Sequence, residues 1–263
     1  MEQLASMSAA ETDMSALEAA RSKSVVSYHV PSSFVSDTSP PAIYIEEARN
    51  LLAARGTTGL RVWDAGLHLA YFLATDGVGL VKDKNVLELG AGPGLVSILC
   101  AGPLEAAGAI ATDGDAQVVG GIERNLSLNA SLLPRKNVRA EELDWSNDGA
   151  LPDILLHRGS LLPLDLIVGA DITYATESHE PLAHMVAALQ NLYPSVDILI
   201  STVIRNQDTY DSFINTCATK GIRTSVVGFD CPPFDLQRGF FHQTYPPMPI
   251  LRLTQDLEYV ENP

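Results

Sequence analysis

The run Glu88-Leu-Gly-Ala-Gly-Pro-Gly94 constrains this chain more than any other stretch, because it lies between an apolar, strand-like segment (85–89) and a helical one (94–101). Glycines at a strand end let the backbone turn sharply and admit a bulky ligand without a Cβ in the way, so Gly90 and Gly92 are expected to be hard to replace. The rest of the chain keeps the alternation that this unit opens. Strand-like runs at 108–112, 138–143, 165–170 and 197–204 interleave with helical runs at 64–75, 116–128, 179–192 and 208–220, the last ended by Gly221. Such alternation predicts a parallel sheet with helices on both faces. Toward the C-terminus it lapses: 222–227 and 248–254 read as strands with no helix of length between them. They predict an antiparallel pair and leave 229–247 as a loop, a candidate substrate rim with Phe234, Phe240 and Phe241, at least one of which should pack over the sheet.

Which ligand the glycines serve depends on their spacing. Dinucleotide sites want glycine at the first, third and sixth positions, and the sixth from Gly90 is Leu95, which makes NAD the weaker choice. No Lys-Ser or Lys-Thr follows the glycines, which excludes a phosphate-cradling P-loop. An acidic residue ending the second strand is the next requirement, because a carboxylate accepts hydrogen bonds from paired ribose hydroxyls. Asp113 meets it, with a plain turn residue as the alternative, while Asp115 is expected to cap the following helix. Asp144 and Trp145 end the third strand, where the indole can offer a flat face to an adenine. Core packing is an equal alternative for Trp145 and for Trp63. Asp171 and Tyr174 follow the fourth strand, at the carboxyl edge where doubly wound sheets bind ligands; a helix cap and a core aromatic are the plainer roles for them.

Composition bounds the remaining possibilities. A chain of 263 residues, 46% of them hydrophobic, supports one substantial core. Residues 1–24, rich in Ala, Ser, Met and Glu, and a helical-looking run at 43–55 that stops at Gly56 make residues 1–55 an N-terminal arm, partly disordered or helical. Residues 56–263 are expected to form the main α/β domain. The longest apolar runs are strand-sized, so no membrane is involved. The first 20 residues carry four acidic groups and no Lys or Arg, which fits neither a secretory leader nor a transit peptide. A cytoplasmic protein is expected, with the nucleus as second choice. A net charge of −15 opposes direct nucleic-acid binding and suits a basic protein partner, although solubility alone also accounts for it. Cys100, Cys217 and Cys231 are too widely spaced for a disulfide framework or a zinc pattern, and His179 and His184 do not share a helical face. No metal is expected.

Taken together, Trp63-Asp-Ala, Glu88 to Gly94, Thr112-Asp113, Leu143-Asp144-Trp145 and Gly169-Ala-Asp-Ile-Thr-Tyr174 resemble, in the same order, the motifs of the seven-β-strand protein-lysine methyltransferases. The resemblance implies a doubly wound, Rossmann-like α/β fold with a seven-stranded, mostly parallel sheet and an antiparallel C-terminal strand. It implies S-adenosylmethionine as cofactor, with Trp63, Gly90, Ala91, Gly92, Asp113, Trp145 and Ala170 matching positions that contact it in relatives. Gly94 and Asp144 complete the cofactor set, and Glu88 is expected to accept from the methionine ammonium or to hold the loop. Asp171 would hold and orient a substrate lysine rather than act as a strong base, since a carboxylate raises the pKa of a neighbouring amine. Tyr174 would supply an aromatic wall or a hydroxyl contact, and Arg205 with Asn206 would shape the rim, unless Arg205 merely makes a surface ion pair.

Gly56-Thr-Thr-Gly-Leu60, Val203-Ile-Arg-Asn206, Thr209-Tyr210 and Gly221-Ile-Arg223 further resemble the branch that methylates a lysine of eukaryotic translation elongation factor 2. Members of that branch carry a longer helical region ahead of the catalytic domain. A monomer acting on a lysine-bearing protein, elongation factor 2 in that branch, is the expectation. Another translation factor or a chaperone, a small amine such as nicotinamide, and a non-catalytic cofactor-binding adaptor stay open.

Overall fold

The computed structural model describes residues 23–31, 40–48, 58–133, 137–147, 149, 151–157, 160–161 and 163–255. An antiparallel hairpin of β1 (Ser24–His29) and β2 (Ala42–Glu47) precedes the main sheet. That sheet contains β3 (Asn85–Leu89), β4 (Gly108–Asp113), β5 (Val138–Glu142), β6 (Leu166–Ala170), β7 (Asp197–Ser201), β8 (Ile222–Val226) and β9 (Ile250–Gln255). The main helices are α1 (Asp64–Ala74), α2 (Leu95–Ala101), α3 (Ala116–Leu128), α4 (His179–Leu192) and α5 (Gln207–Thr219). The strand order is β8-β9-β7-β6-β3-β4-β5. The five strands from β7 to β5 are parallel, and β9 runs antiparallel to both β7 and β8. This is the doubly wound, mostly parallel α/β sheet that the alternation predicts, with the antiparallel pair at its C-terminal edge.

The central strands read as continuous apolar runs because both of their faces are covered. Val86 and Val168 point into one core with Leu69 and Phe72 of α1 and Ile98 and Leu99 of α2. Leu87, Leu89 and Ile167 point the other way, against Leu182 and Met185 of α4 and Phe213 of α5. Asp115 accepts from the Gln117 amide and caps α3, as its position predicts, and Asn206 does the same for α5 through the Asp208 and Thr209 amides. Phe240 is buried in the first core, whereas Phe234 and Phe241 pack against each other with tilted rings and stay half-exposed, so the loop 229–247 is partly rim and partly core. Among the described residues no helix is long and apolar enough to cross a membrane.

One expectation is corrected. The run 43–55 does not begin as a helix: Ala42–Glu47 is a strand, and 49–55, like Gly56 and Thr57, lie outside the described residues, as do 1–22. Ile43 and Ile45 are fully buried and Glu47 almost so, a period of two over six residues that is too short to separate from a helical face by sequence. Two asparagines of α3 and its C-terminus complete the strand. Asn129 Oδ1 accepts from the Tyr44 amide at 2.9 Å and Asn125 Oδ1 from the Glu46 amide at 2.8 Å, giving the free edge of β2 side-chain partners in place of a neighbouring strand. The hairpin thereby joins the catalytic core, with Val30, Ile43 and Ile45 among its buried residues.

Candidate active site

The carboxyl ends of β3, β4 and β6 and the segment after β5 converge on a cavity of about 260 Å³, at the point where the strand order reverses beside β3. Trp63, Glu88, Gly90, Ala91, Gly92, Asp113, Asp144, Trp145, Ala170, Asp171 and Tyr174 all line it. Gly94 does not. It caps the N-terminus of α2 with φ +87°, and a Cβ there would meet Ile122 Cγ2 at 2.9 Å, so its role is to seat the helix.

The glycine loop is held by hydrogen bonds to β4 and its end. The Ala91 amide donates to the Thr112 carbonyl at 2.8 Å, the Gly92 amide to Asp113 Oδ2 at 3.1 Å, and Thr112 Oγ1 to the Glu88 carbonyl at 2.7 Å. Gly90 has φ +62°, and a Cβ on it would approach Ile172 Cγ2 to 2.6 Å and the Trp145 ring to 3.3 Å. Glycine is therefore required twice over, by dihedral and by space. Asp113 also accepts the Asp115 amide at 3.2 Å. Burial raises its carboxyl above the usual range, opposed by the Gly92, Asp115 and Gly114 amides. Asp144, by contrast, is held low by the amide and hydroxyl of Ser146.

Glu88 lines the cavity, yet its Oε2 accepts from both the amide and the hydroxyl of Ser97, at 2.8 and 2.5 Å. Of its two expected roles, these bonds perform the second, tying β3 to the first turn of α2. Burial pushes this carboxyl up to about 7 against the pull of Ser97.

A second part of the lining is built around Asp171, on the segment after β6. Its φ is +54°, a left-handed conformation that aspartate tolerates better than most side chains, and its amide is anchored on the Ser201 carbonyl at 2.8 Å. It caps no helix. Its two carboxylate oxygens each accept from Arg205, through Nη1 and Nη2, both at 2.8 Å. Asp171 is only 8% exposed while the Arg205 side chain is about half-exposed, so this is a bidentate pair with one buried member rather than a surface bridge. The bonds to Asp171 hold the Arg205 guanidinium above even its usual pKa, against the opposing effect of burial. Asn206, paired with Arg205 in the rim expectation, is occupied as the α5 cap. Tyr174 is 54% exposed at the mouth, so it is no core aromatic. His179 Nε2 meets the Thr173 carbonyl at 2.9 Å and Thr173 Oγ1 meets Thr202 Oγ1 at 2.5 Å, fixing the turn between Asp171 and Tyr174.

Sequence reasoning missed two contributors. Arg61 lines the cavity with its guanidinium 4.6 Å from the centre of the Trp63 ring, on which Arg205 also lies at 5.8 Å. Glu47, 2% exposed, accepts from the Val62 amide at 2.7 Å and from the Tyr28 hydroxyl at 2.8 Å, so the hairpin fixes the segment that presents Trp63. A glutamate at an inward position of a two-period apolar run was the signal, hidden by the helical reading.

A family model described as lysine methyltransferase matches residues 48–219. Over 236 residues the chain is 37% identical to the protein-lysine N-methyltransferase EFM3 of Chaetomium thermophilum, covering 90% of this chain and 69% of that protein. It is 32% identical over 199 residues to the protein of the same name from Saccharomyces cerevisiae, covering 70% and 56%, and 28% identical over 210 residues to human protein-lysine N-methyltransferase EEF2KMT, covering 76% and 60%. The chain thus spans between about half and seven tenths of these relatives' lengths. The solved structure of SMU.776, complexed with SAH, superposes with a TM-score of 0.55 at 13% identity, covering 81% of this chain and 53% of that one, a likeness of fold.

Proposed function

The chain belongs to the lysine methyltransferase family, and from that premise we propose that it transfers the methyl group of S-adenosylmethionine to the Nζ of a lysine in a protein substrate, elongation factor 2. The observation that carries this reading is one cavity with a glycine-loop wall suited to an adenosyl group and, in the same lining, a buried carboxylate suited to an amine.

The residues fit the cofactor. Trp145 Nε1 is buried without a hydrogen-bond partner, an orphan donor in the cavity wall that a ligand acceptor would satisfy. Asp113 keeps lone pairs beyond those used by Gly92 and Asp115, enough to receive ribose hydroxyls. Bound there, S-adenosylmethionine supplies a methyl carbon on a sulfonium, open to in-line attack by a lone pair. Everything else falls to the protein, and it is mainly positioning.

The acceptor must be neutral to react. A lysine at its ordinary pKa is only about one part in 2,500 neutral at pH 7, a penalty of roughly 4.6 kcal/mol. A lone Asp171 carboxylate would deepen that penalty by stabilising the ammonium. Paired with Arg205, it presents a nearly neutral unit whose oxygens still accept an N–H and so orient the amine without binding its charge strongly. Tyr174 and Trp63 flank the mouth through which the lysine side chain enters, and solvent there takes the released proton.

Incubating the protein with isotope-labelled S-adenosylmethionine and a eukaryotic lysate tests the reading. A labelled band of elongation factor 2, with methyl-lysine identified by mass spectrometry, is the expected result. Label on a different protein would reject that substrate, and label only on a small amine would reject protein methylation.

A further inference from the structure

Beside α1, the fold gathers three side chains that the sequence scatters. His68 of α1 and His242 are 174 residues apart, and Cys231 is 11 residues before His242, yet His68 Nδ1 lies 3.0 Å from His242 Nε2 and Cys231 Sγ 3.5 Å from the same nitrogen. All three ligand atoms fall within 4.8 Å of one another. From this geometry we propose that His68, Cys231 and His242 bind a divalent transition-metal ion, zinc by preference, which clips the loop 229–247 to α1. Nothing in the sequence marks the site, because its members come from one helix and two ends of a loop.

The donor set and its spacing both suit such an ion. Two imidazoles and a thiolate are borderline-to-soft ligands that select zinc over magnesium or calcium. Bonds of about 2.0–2.1 Å to nitrogen and 2.3 Å to sulfur separate neighbouring ligand atoms in a tetrahedron by roughly 3.3 to 3.7 Å. The two separations to His242 Nε2, 3.0 and 3.5 Å, come close to that, the third pair lies within 4.8 Å, and three protein ligands leave one position for water.

The surroundings are organised as a ligand shell. His242 Nδ1 meets the Phe240 carbonyl at 2.7 Å; donating there leaves the lone pair on Nε2, facing the other two groups, which is the usual arrangement behind a metal-bound histidine. Gln237 fixes the loop between the two ligands. Its Nε2 donates to the Pro232 and His242 carbonyls, both at 3.0 Å, and lies 3.8 Å from Cys231 Sγ, while its Oε1 accepts the His242 amide at 2.9 Å. His68 and His242 are buried and Cys231 is partly so, which shields the cluster from bulk water. A thiol must give up its proton to ligate, so binding releases one proton from sulfur to solvent as the S–metal bond forms. Without a metal, Cys231 and His68 both converge on a single acceptor, His242 Nε2, an arrangement that hydrogen bonding alone satisfies poorly.

The test uses the full chain, freed of metal with a chelator and titrated with zinc by calorimetry and with cobalt by absorbance. One equivalent of zinc, a raised melting temperature, and a sulfur-to-cobalt charge-transfer band in the near ultraviolet are expected. Cys231→Ala should abolish the band and weaken zinc at least about tenfold. In the unaltered chain, zinc should protect Cys231 from alkylation, reversibly with chelator; Cys100 and Cys217 are buried and free, so Cys231 supplies the signal. Cobalt bound without the band, equal zinc affinity in Cys231→Ala, or alkylation of Cys231 unaffected by zinc would each overturn the proposal, whatever the outcome for methyl transfer.

Discussion

The two walls of the cavity are held by different forces. The glycine-loop wall is fixed through its own amides, Ala91 to the Thr112 carbonyl and Gly92 to the Asp113 carboxylate, with dihedrals that only glycine adopts cheaply. The other wall is held by a charge pair, Asp171 with Arg205, one partner buried and the other half in solvent. A wall made of backbone is shaped before any ligand arrives, and damage to it should appear as lost cofactor affinity. A wall made of charges acts through the field at the acceptor nitrogen, and damage there should appear in rate and pH dependence.

The largest effect expected is at Asp171. Asp171→Ala should reduce methyl transfer between about 100- and 1,000-fold, because the acceptor loses its orienting group and Arg205 loses its partner. Cofactor affinity by calorimetry should stay within about twofold of the unaltered protein. Unchanged turnover would remove Asp171 from the mechanism, and a parallel loss of cofactor affinity would mean that the walls are not separable.

Glu88 belongs to the first wall and gives it a titratable weakness. Its carboxyl is raised from 4.5 to about 7 by burial, so between those values the unfolded chain gives up its proton while the folded one keeps it. Stability is therefore present at acidic pH and lost as pH rises through that window, by about 3 kcal/mol at most. Urea midpoints measured near pH 5 and near pH 7.5 should fall with rising pH, and Glu88→Gln should flatten that decline. An identical slope in the variant would show that Ser97 bonding, not burial, governs the group. Gly90→Ala comes next: a left-handed dihedral costs roughly 1–2 kcal/mol, and the added Cβ presses on Ile172, so cofactor affinity should fall about tenfold. The acceptor KM should not move, which a kcat and KM split on both substrates would check.

The difference between the walls also explains what could be read from the sequence. The first wall is local: a strand end, three glycines and an acidic residue one strand over, all within one βαβ unit, so Gly90, Gly92 and Asp113 were legible from spacing, whereas Trp145, beyond the next strand, read equally well as core until the motif was considered. Asp171 and Tyr174 were legible as a motif, but the partner of Asp171 was not, since Arg205 arrives from the end of a different strand, 34 residues on. Glu47 was hidden because six residues of β2 fit a helical face as well as a strand. The alternation of strands and helices survived this ambiguity because the helices between the later strands are long enough to declare their period and the short apolar runs between them, buried on both faces, are left as strands.

The smallest effect expected isolates the charge itself. If Asp171 and Arg205 act as a neutral unit, Arg205→Gln leaves an uncompensated carboxylate beside the acceptor, which stabilises the lysine ammonium. The acidic limb of the kcat/KM profile should then move to higher pH by up to about one unit, less than a buried pair would give because the Arg205 side chain is half-exposed and screened. At low pH the rate should drop several-fold, and at high pH, where the amine is already neutral, it should recover. Arg205→Lys restores the charge without the fork of two parallel bonds, so it should return the limb toward its original position while leaving a small deficit in the plateau. A plateau loss of equal size in both variants, with no shift of the limb, would mean that Arg205 holds the shape of the second wall and that its charge does not reach the reacting nitrogen.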